Sequence, residues 1–338
     1  MRYPKRLDKY GKIGVVAPSA GFTEYKYKAM CDNAKNKLEK LGYKILCSES
    51  CFNDLNGRSN TSVARAEEFM KMYLDKSVDI LISLGGGEYE MEILNNLDLD
   101  MIKNSSIKLF CGCSDNTILT FLLTTYCDIA SVYGHNFYEM GIKHKVIDDY
   151  IDFLKGNIND LVEIKNVEEK DENWKSLEPQ ISYNCNYTND WKLYYEKDNI
   201  DVSGMVIGGL LDNLICICGT KYDNMVNFSE KYKDNGFIWY IDICTLTPEE
   251  VKRGLWQLKN AEWFKYIKLL IVGRPINQSD SYGINYRDNI YDEVKSLNVP
   301  VIFDANIGHI PPAYHMYNGA IARVIYKNNL GTIKYIAS

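Results

Sequence analysis

Phe110-Cys111-Gly112-Cys113-Ser114-Asp115-Asn116-Thr117 stands where an apolar run, Ile107 to Cys111, gives way to a helical pattern from Ile118 to Tyr126. A serine at a sharp strand-to-helix turn, with glycine two places before it, has the form of a nucleophile elbow. Such a turn lifts the hydroxyl clear of a sheet edge. The helix that follows aims its N-terminal N–H groups at the same spot. The fuller motif has a second glycine two places after the serine, and here Asn116 stands there. Ser-Asp before an apolar helix is also an ordinary N-cap, so the turn by itself leaves both readings open. A serine nucleophile needs a base, and the chain has four histidines. His309 follows Gly308 at the end of the apolar run that starts at Val301, and it is the candidate.

On either side of this turn the first half alternates strand and helix. Lys12–Ala17, Tyr43–Cys47, Val78–Leu84 and Ile129–Gly134 read as strands. Tyr27–Leu41, Val63–Leu74 and the shorter Met91–Leu97 read as helices, with Arg65, Glu67 and Glu68 expected on a polar face. Strands separated by helices imply βαβ units and a parallel sheet. Ligands of such sheets bind beyond the carboxyl ends of the strands. The Pro18 loop, the Gly85–Gly87 loop and Ser114 would share that edge.

The second half holds strand-like Val202–Gly209, Gly236–Cys244 and Leu269–Gly273, helical Pro248–Leu258 and Asp288–Leu297, and a terminal hairpin from Tyr317–Tyr326 and Gly331–Ile336. The expected fold is α/β. An N-terminal Rossmann- or flavodoxin-like domain with a parallel sheet covers 1–156, and a smaller C-terminal α/β domain covers 201–338. Residues 157–200 are polar and read as a linker or covering segment. Trp174 and Trp191 in that segment either pin it to the body or stack on a substrate ring.

The bulk numbers exclude several classes. A length of 338 residues suggests two domains, because single cores stop growing near ~250–300 residues. With 46% hydrophobic and 25% charged residues, the chain is not disordered. Net charge is −6 and no basic stripe is visible, which argues against nucleic acid. No apolar run approaches the ~18 residues of a membrane span, and Ile13–Ala17 is too short for a signal peptide. The expectation is a soluble cytoplasmic protein. The ten cysteines are scattered. Cys111, Cys216, Cys218 and Cys244 fall in apolar, strand-like runs and read as buried thiols. The C-x-C pairs Cys111/Cys113 and Cys216/Cys218 lack zinc-site spacing, so no metal is expected.

Several pieces, taken in order, resemble the LD-carboxypeptidase family of serine peptidases, which includes murein LD-carboxypeptidases and microcin C immunity peptidases. They are Gly14-Val-Val-Ala-Pro-Ser19, Arg65-Ala-Glu67, Gly86-Gly87 with Ile93-Leu94, Gly112-Cys-Ser-Asp115, the Gly134 strand, Ser203-Gly204 through Gly208-Gly209, Gly219-Thr220 and Gly308-His309. The resemblance implies a Ser-Glu-His triad with Ser114 as nucleophile and His309 as base. The acid would end the strand Ile238-Trp-Tyr-Ile-Asp242, where this chain has Asp instead of Glu. Asp is one methylene shorter, about 1.5 Å of reach, and misplacement of about 1 Å can cost ~100-fold. Either the backbone moves inward, or activity is weak, or Glu249 or Glu250 takes over. Asp242 ranks first, because a lone carboxylate in an apolar strand must find a partner.

Backbone N–H groups at Gly86 or Gly87 and at Asp115 are the oxyanion candidates. His135, after Gly134 at a strand end, reads equally as a substrate contact or as a surface or satisfied histidine, and His144 and His315 read as structural. The expected activity is hydrolysis of an amide or amide-like bond without a cofactor. The substrate would be a small peptide or peptidyl-nucleotide of the microcin C type, with a murein tetrapeptide as the alternative. A weakly active binding protein that retains the fold is the reading from another class. The resemblance also implies a homodimer.

Overall fold

The computed structural model describes residues 1–157, 160–170 and 176–337. The chain divides into two compact units. One comprises Met1–Asn159 with Glu172–Tyr183, and the other Asp160–Asp171 with Asn184–Ser338.

In the first unit, strands β1 (Lys12–Val16), β2 (Lys44–Cys47), β3 (Ile80–Ser83), β4 (Leu109–Cys111) and β5 (Ser131–Tyr133) alternate with helices. The helices are α1 (Tyr25–Lys40), α2 (Ser62–Leu74), α3 (Leu99–Asn104), α4 (Thr117–Thr125) and α5 (Lys145–Leu154). The strands pair in parallel in the order β2-β1-β3-β4-β5. That is the doubly wound, flavodoxin-like order, whose binding crevice lies beyond the carboxyl ends at the β1/β3 switch point. β3 and β4 are buried along their whole length, as strands covered on both faces should be. Helix α4 is buried at every position, which explains its unbroken apolar and threonine sequence.

The second unit contains the short strands β6 (Leu161–Val162), β7 (Asn166–Val167), β8 (Tyr187–Thr188) and β9 (Lys192–Tyr194), then β10 (Ile200–Leu210), α6 (Leu211–Ile217) and α7 (Met225–Lys231). These are followed by β11 (Phe237–Asp242), α8 (Pro248–Asn260), β12 (Ile267–Gly273), α9 (Tyr286–Val294), β13 (Val301–Ala305), β14 (Met316–Asn318), β15 (Ile321–Lys327) and β16 (Leu330–Ala337). Its eight-stranded sheet runs β6-β16-β15-β10-β11-β12-β13-β9. The central four strands are parallel and the flanking pairs antiparallel. β15 and β16 form the expected hairpin. Both units are therefore α/β, each with parallel strands at its centre.

Three expectations need correction. The described residues of 157–200 are more than a linker or covering segment: β6 and β9 are edge strands of the second sheet, and β7 pairs with β8. Arg65 is 1% exposed, not on a polar face. Cys216 lies near the end of helix α6 and is exposed rather than buried in a strand.

Trp191 shows how the polar segment is held. The residue is 1% exposed. Its indole Nε1 donates to Asn306 Oδ1 at 2.9 Å, and its backbone N donates to the buried Glu163 at 2.8 Å. Tyr326 donates its hydroxyl hydrogen to the Trp191 carbonyl at 3.1 Å, and Gly331 packs against the ring. We expect Trp191→Ala to destabilise the protein by about 3–5 kcal/mol through the lost aromatic volume, read as a lower urea midpoint. An unchanged midpoint would show that the segment is not anchored by this ring.

Candidate active site

In the first unit, β4 ends at Cys111 and a single turn of 3₁₀ helix, Ser114–Asn116, leads into α4. Ser114 has φ = +63°, the left-handed region that a non-glycine residue enters only when its surroundings over-determine it. Those surroundings are visible. Ser114 N donates to Tyr133 Oη at 3.2 Å. Cys113 N donates to Asn136 Oδ1 at 3.1 Å. Asn116, standing where the fuller motif has glycine, folds its amide back onto the carbonyls of Cys113 (2.8 Å) and Gly85 (3.0 Å). The asparagine thus ties the elbow to the glycine loop after β3.

That loop approaches the serine closely. A Cβ on Gly86 would lie 2.8 Å from Ser114 Cβ and 2.9 Å from Oγ, so only glycine fits. Gly87 sits against Ser19. Asp115 is buried, and its carboxylate accepts from the Ser19 hydroxyl and, at 2.8 Å, from Glu90 N. The elbow, the Gly86–Gly87 loop and the Pro18–Ser19 loop thus meet at the carboxyl edge of the sheet, as their places after β4, β3 and β1 require.

A supporting layer escaped the sequence reading. Arg65 donates to the carbonyls of Pro18 (2.8 Å) and Tyr89 (3.0 Å) and to Glu92 (2.6 Å). Glu90 is fully buried, and neither of its oxygens has a hydrogen-bond partner among the described residues. Burial, reinforced by the negative Asp115, pushes its carboxyl well above the usual carboxylate range, which favours the neutral form. The signal available was Arg65 itself, on a helix that pairs it with a loop of three acidic residues.

In the second unit, Asp242 is the last residue of β11 and is 0% exposed. His309 lies in the turn that follows β13. Its Nδ1 is 2.7 Å from Asp242 Oδ2. The aspartate therefore reaches the imidazole despite its shorter side chain. The backbone has come to it: Gly308, at φ = +101°, lies directly on the carboxylate, where any Cβ would collide with Asp242 Oδ1. Arg274, buried, holds this turn from beyond by donating to the carbonyls of Ile310 (2.9 Å) and Pro311 (3.0 Å). Burial alone would lower the His309 pKa, but the Asp242 carboxylate, helped by Cys244, outweighs it and holds the pKa well above the usual value.

Glu249 and Glu250 are occupied elsewhere. Glu250 closes a capping box with Thr247 at the start of α8, and Glu249 accepts from the Ser281 hydroxyl. Trp191, as a possible stacking surface, is overturned by its burial. Trp174 lies outside the described residues. His144 caps α5, accepting from Val146 N at 3.2 Å. His135 packs edge-on against Tyr150, and His315 stacks on Tyr335.

The first unit thus holds a serine on a strained elbow, and the second holds an imidazole engaged by an aspartate. Models of the LD-carboxypeptidase N-terminal domain and C-terminal domain match residues 13–134 and 203–324. The chain belongs to the LD-carboxypeptidase family. Among family relatives, YocD of Bacillus subtilis (strain 168), a proposed carboxypeptidase by name, is 24% identical over 328 residues, 95% of each chain. The microcin C7 self-immunity protein MccF of Escherichia coli is 24% identical over 306 residues, 86% of this chain and 84% of MccF. The fold matches that of an MccF-like protein from Bacillus anthracis (strain Ames), with a TM-score of 0.82 at 21% identity over 100% of both chains. MccF in complex with aspartyl sulfamoyl adenosine matches with a TM-score of 0.81 at 19% identity, over 99% of this chain and 98% of that one. No helix among the described residues is long and apolar enough to cross a membrane.

The raised pKa of His309 fixes a sign. In the unfolded chain histidine titrates near ~6.5, so the stability from the His309–Asp242 pair is fully present below about pH 6.5. It is lost as pH rises through the folded-state value. We expect the His309 ring resonances in this LD-carboxypeptidase family member to titrate above about 6.5. Gly308→Ala, by forcing the turn off Asp242, should bring the midpoint down. A wild-type midpoint at or below the ordinary value would contradict the pairing.

Proposed function

We propose that the protein is a serine hydrolase that cleaves an amide or amide-like bond with Ser114 as nucleophile, His309 as general base and Asp242 as the acid that orients it. The observation that carries this reading is the 2.7 Å contact from His309 Nδ1 to a carboxylate with no exposed surface. With Nδ1 on the carboxylate, we take Nε2 as the base, the orientation that the acid imposes in a serine triad. The imidazole keeps 19% of its side-chain surface accessible, as a group that exchanges protons with a substrate needs.

In the proposed reaction, His309 takes the Ser114 proton as Oγ attacks the carbonyl carbon. The N–H groups of Asp115 and of Gly86 or Gly87 stabilise the oxyanion. His309 then protonates the leaving amine, and water hydrolyses the acyl-enzyme by the reverse path. Because the base must be neutral to accept the serine proton, kcat/KM should rise with pH through the elevated His309 pKa.

For the substrate, we propose an aminoacyl-nucleotide-like compound of the microcin C type. MccF is among the relatives, and solved MccF structures hold aspartyl sulfamoyl adenosine and glutamyl sulfamoyl guanosine. The loop Gly86-Gly87-Glu88-Tyr89-Glu90, acidic where murein enzymes have an Arg-Gly-Gly-Tyr-Gly run, supports the same choice. Trp191 lends it nothing, being buried.

The test is to incubate the purified protein with aspartyl sulfamoyl adenosine and, separately, with a murein tetrapeptide, following products by mass spectrometry. We expect cleavage of the acyl–sulfamoyl bond, lowered on the order of 10⁴-fold or more in Ser114→Ala. Cleavage of the tetrapeptide alone would reassign the substrate. Full turnover by Ser114→Ala would overturn the hydrolase reading. Tight binding without turnover or a Ser114 adduct would make the protein a binding protein.

A further inference from the structure

Three cysteines of the first unit converge at one place, away from the elbow. Cys47 is the last residue of β2, in register with Val15 of β1. After Ser48 the chain folds into a 3₁₀ turn, Glu49–Phe52. Cys51, within that turn, directs its thiol to the Val15 carbonyl at 3.5 Å and lies 3.5 Å from Ser48 Oγ. Two thiols four residues apart are thereby brought against the same residue of β1. Cys31, on α1, is the third member and feels the charge of Cys47.

The paired thiols are unequal. Cys51 is 0% exposed, whereas Cys47 is partly accessible. The neighbouring Cys51 thiol lowers the Cys47 pKa; burial opposes this and Lys35 assists it. The neighbouring Cys47 and burial push Cys51 well up. An accessible thiol with enhanced thiolate character beside a protonated, buried one is the arrangement of an attacking cysteine and its resolving partner. Cys31 is disfavoured as that partner, since it is Cys51 whose thiol is seated on the carbonyl of Val15, the residue in register with Cys47.

We propose that Cys47 and Cys51 are a redox pair that closes to an intrachain disulfide on exposure to a hydroperoxide. The Cys47 thiolate attacks one peroxide oxygen. The S–O bond forms, the O–O bond breaks and hydroxide (or alkoxide) leaves, giving a sulfenic acid. Cys51 sulfur then attacks Cys47 sulfur. The S–S bond forms, the S–O bond breaks, and water departs with the Cys51 proton. The two sulfurs together lose two electrons, and the peroxide is reduced by two. A dithiol reductant reverses the change. The pair is separate from Ser114, His309 and Asp242, so its test does not depend on hydrolysis.

The sequence makes the test direct, because Ile45–Arg58 is one tryptic peptide holding both cysteines and no others. The native full-length protein is treated with hydrogen peroxide, free thiols are alkylated after denaturation, and the digest is read by mass spectrometry. We expect the thiol count to fall by two from ten. Ile45–Arg58 should appear two hydrogen masses lighter and unalkylated, and dithiothreitol should restore both alkylation sites. Cleavage after Glu49 should leave two fragments still joined. Cys51→Ser should stop at a sulfenic acid on Cys47 that dimedone traps. Alkylation of both cysteines after peroxide, a Cys31–Cys47 bond, or sulfinic acid at Cys47 with Cys51 still alkylated would each overturn the assignment. The wild-type digest alone decides among these, whatever the folding of the variant.

Discussion

A carboxylate with no exposed surface must be matched by a cation or by hydrogen bonds, or the strand that carries it is penalised by several kcal/mol. Asp242 meets that constraint through His309, and much of the second unit's local architecture follows from keeping the two in contact. The parallel strands β11 and β13 deliver both residues to the same edge of the sheet. Gly308 removes the side chain that would otherwise hold the turn away from the carboxylate. Arg274 fastens the carbonyls just beyond His309. The missing methylene of aspartate is recovered by moving backbone, not by reaching farther with the side chain.

The first unit solves a parallel problem with a different currency of strain. A left-handed serine is unfavourable by roughly 1–2 kcal/mol, and it persists because its neighbours leave no alternative. Asn116 and Asn136 bind the elbow from within, while Asp115 is gripped from two sides by Ser19 and Glu90. The buried Glu90, its neutral form favoured beside Asp115, shows the same economy, since two adjacent buried carboxylates cannot both hold charge without large cost. In each unit the candidate residues lie at the carboxyl edge of parallel strands, where doubly wound sheets present their ligand sites.

Much of this was legible in the order of residues. The alternation of apolar strands with amphipathic helices predicted both α/β units. The Gly-x-Ser turn and the Gly-His turn pointed to Ser114 and His309, and the isolated Asp242 at the end of the apolar run Phe237–Ile241 pointed to a buried partner. Arg65 was misjudged because helical periodicity assigns a face by polarity, and a guanidinium can be buried when carbonyls such as those of Pro18 and Tyr89 satisfy it. The segment around Trp191 looked like a cover because its edge strands are only two or three residues long, too short to show alternation. Cys216 was read as strand because a short apolar run does not distinguish helix from strand.

The sequence by itself determined the element types and the α/β class and put Ser114, His309 and Asp242 forward as candidates, because these depend on local periodicity and on residue types that chemistry demands. Only the tertiary structure decided which carboxylate meets the imidazole, that Glu249 and Glu250 are spent on α8 and Ser281, and that Trp191 is a core anchor. Those outcomes depend on distances between residues tens of positions apart in the chain, and such distances are set by strand register and backbone approach, which no local pattern of side chains encodes.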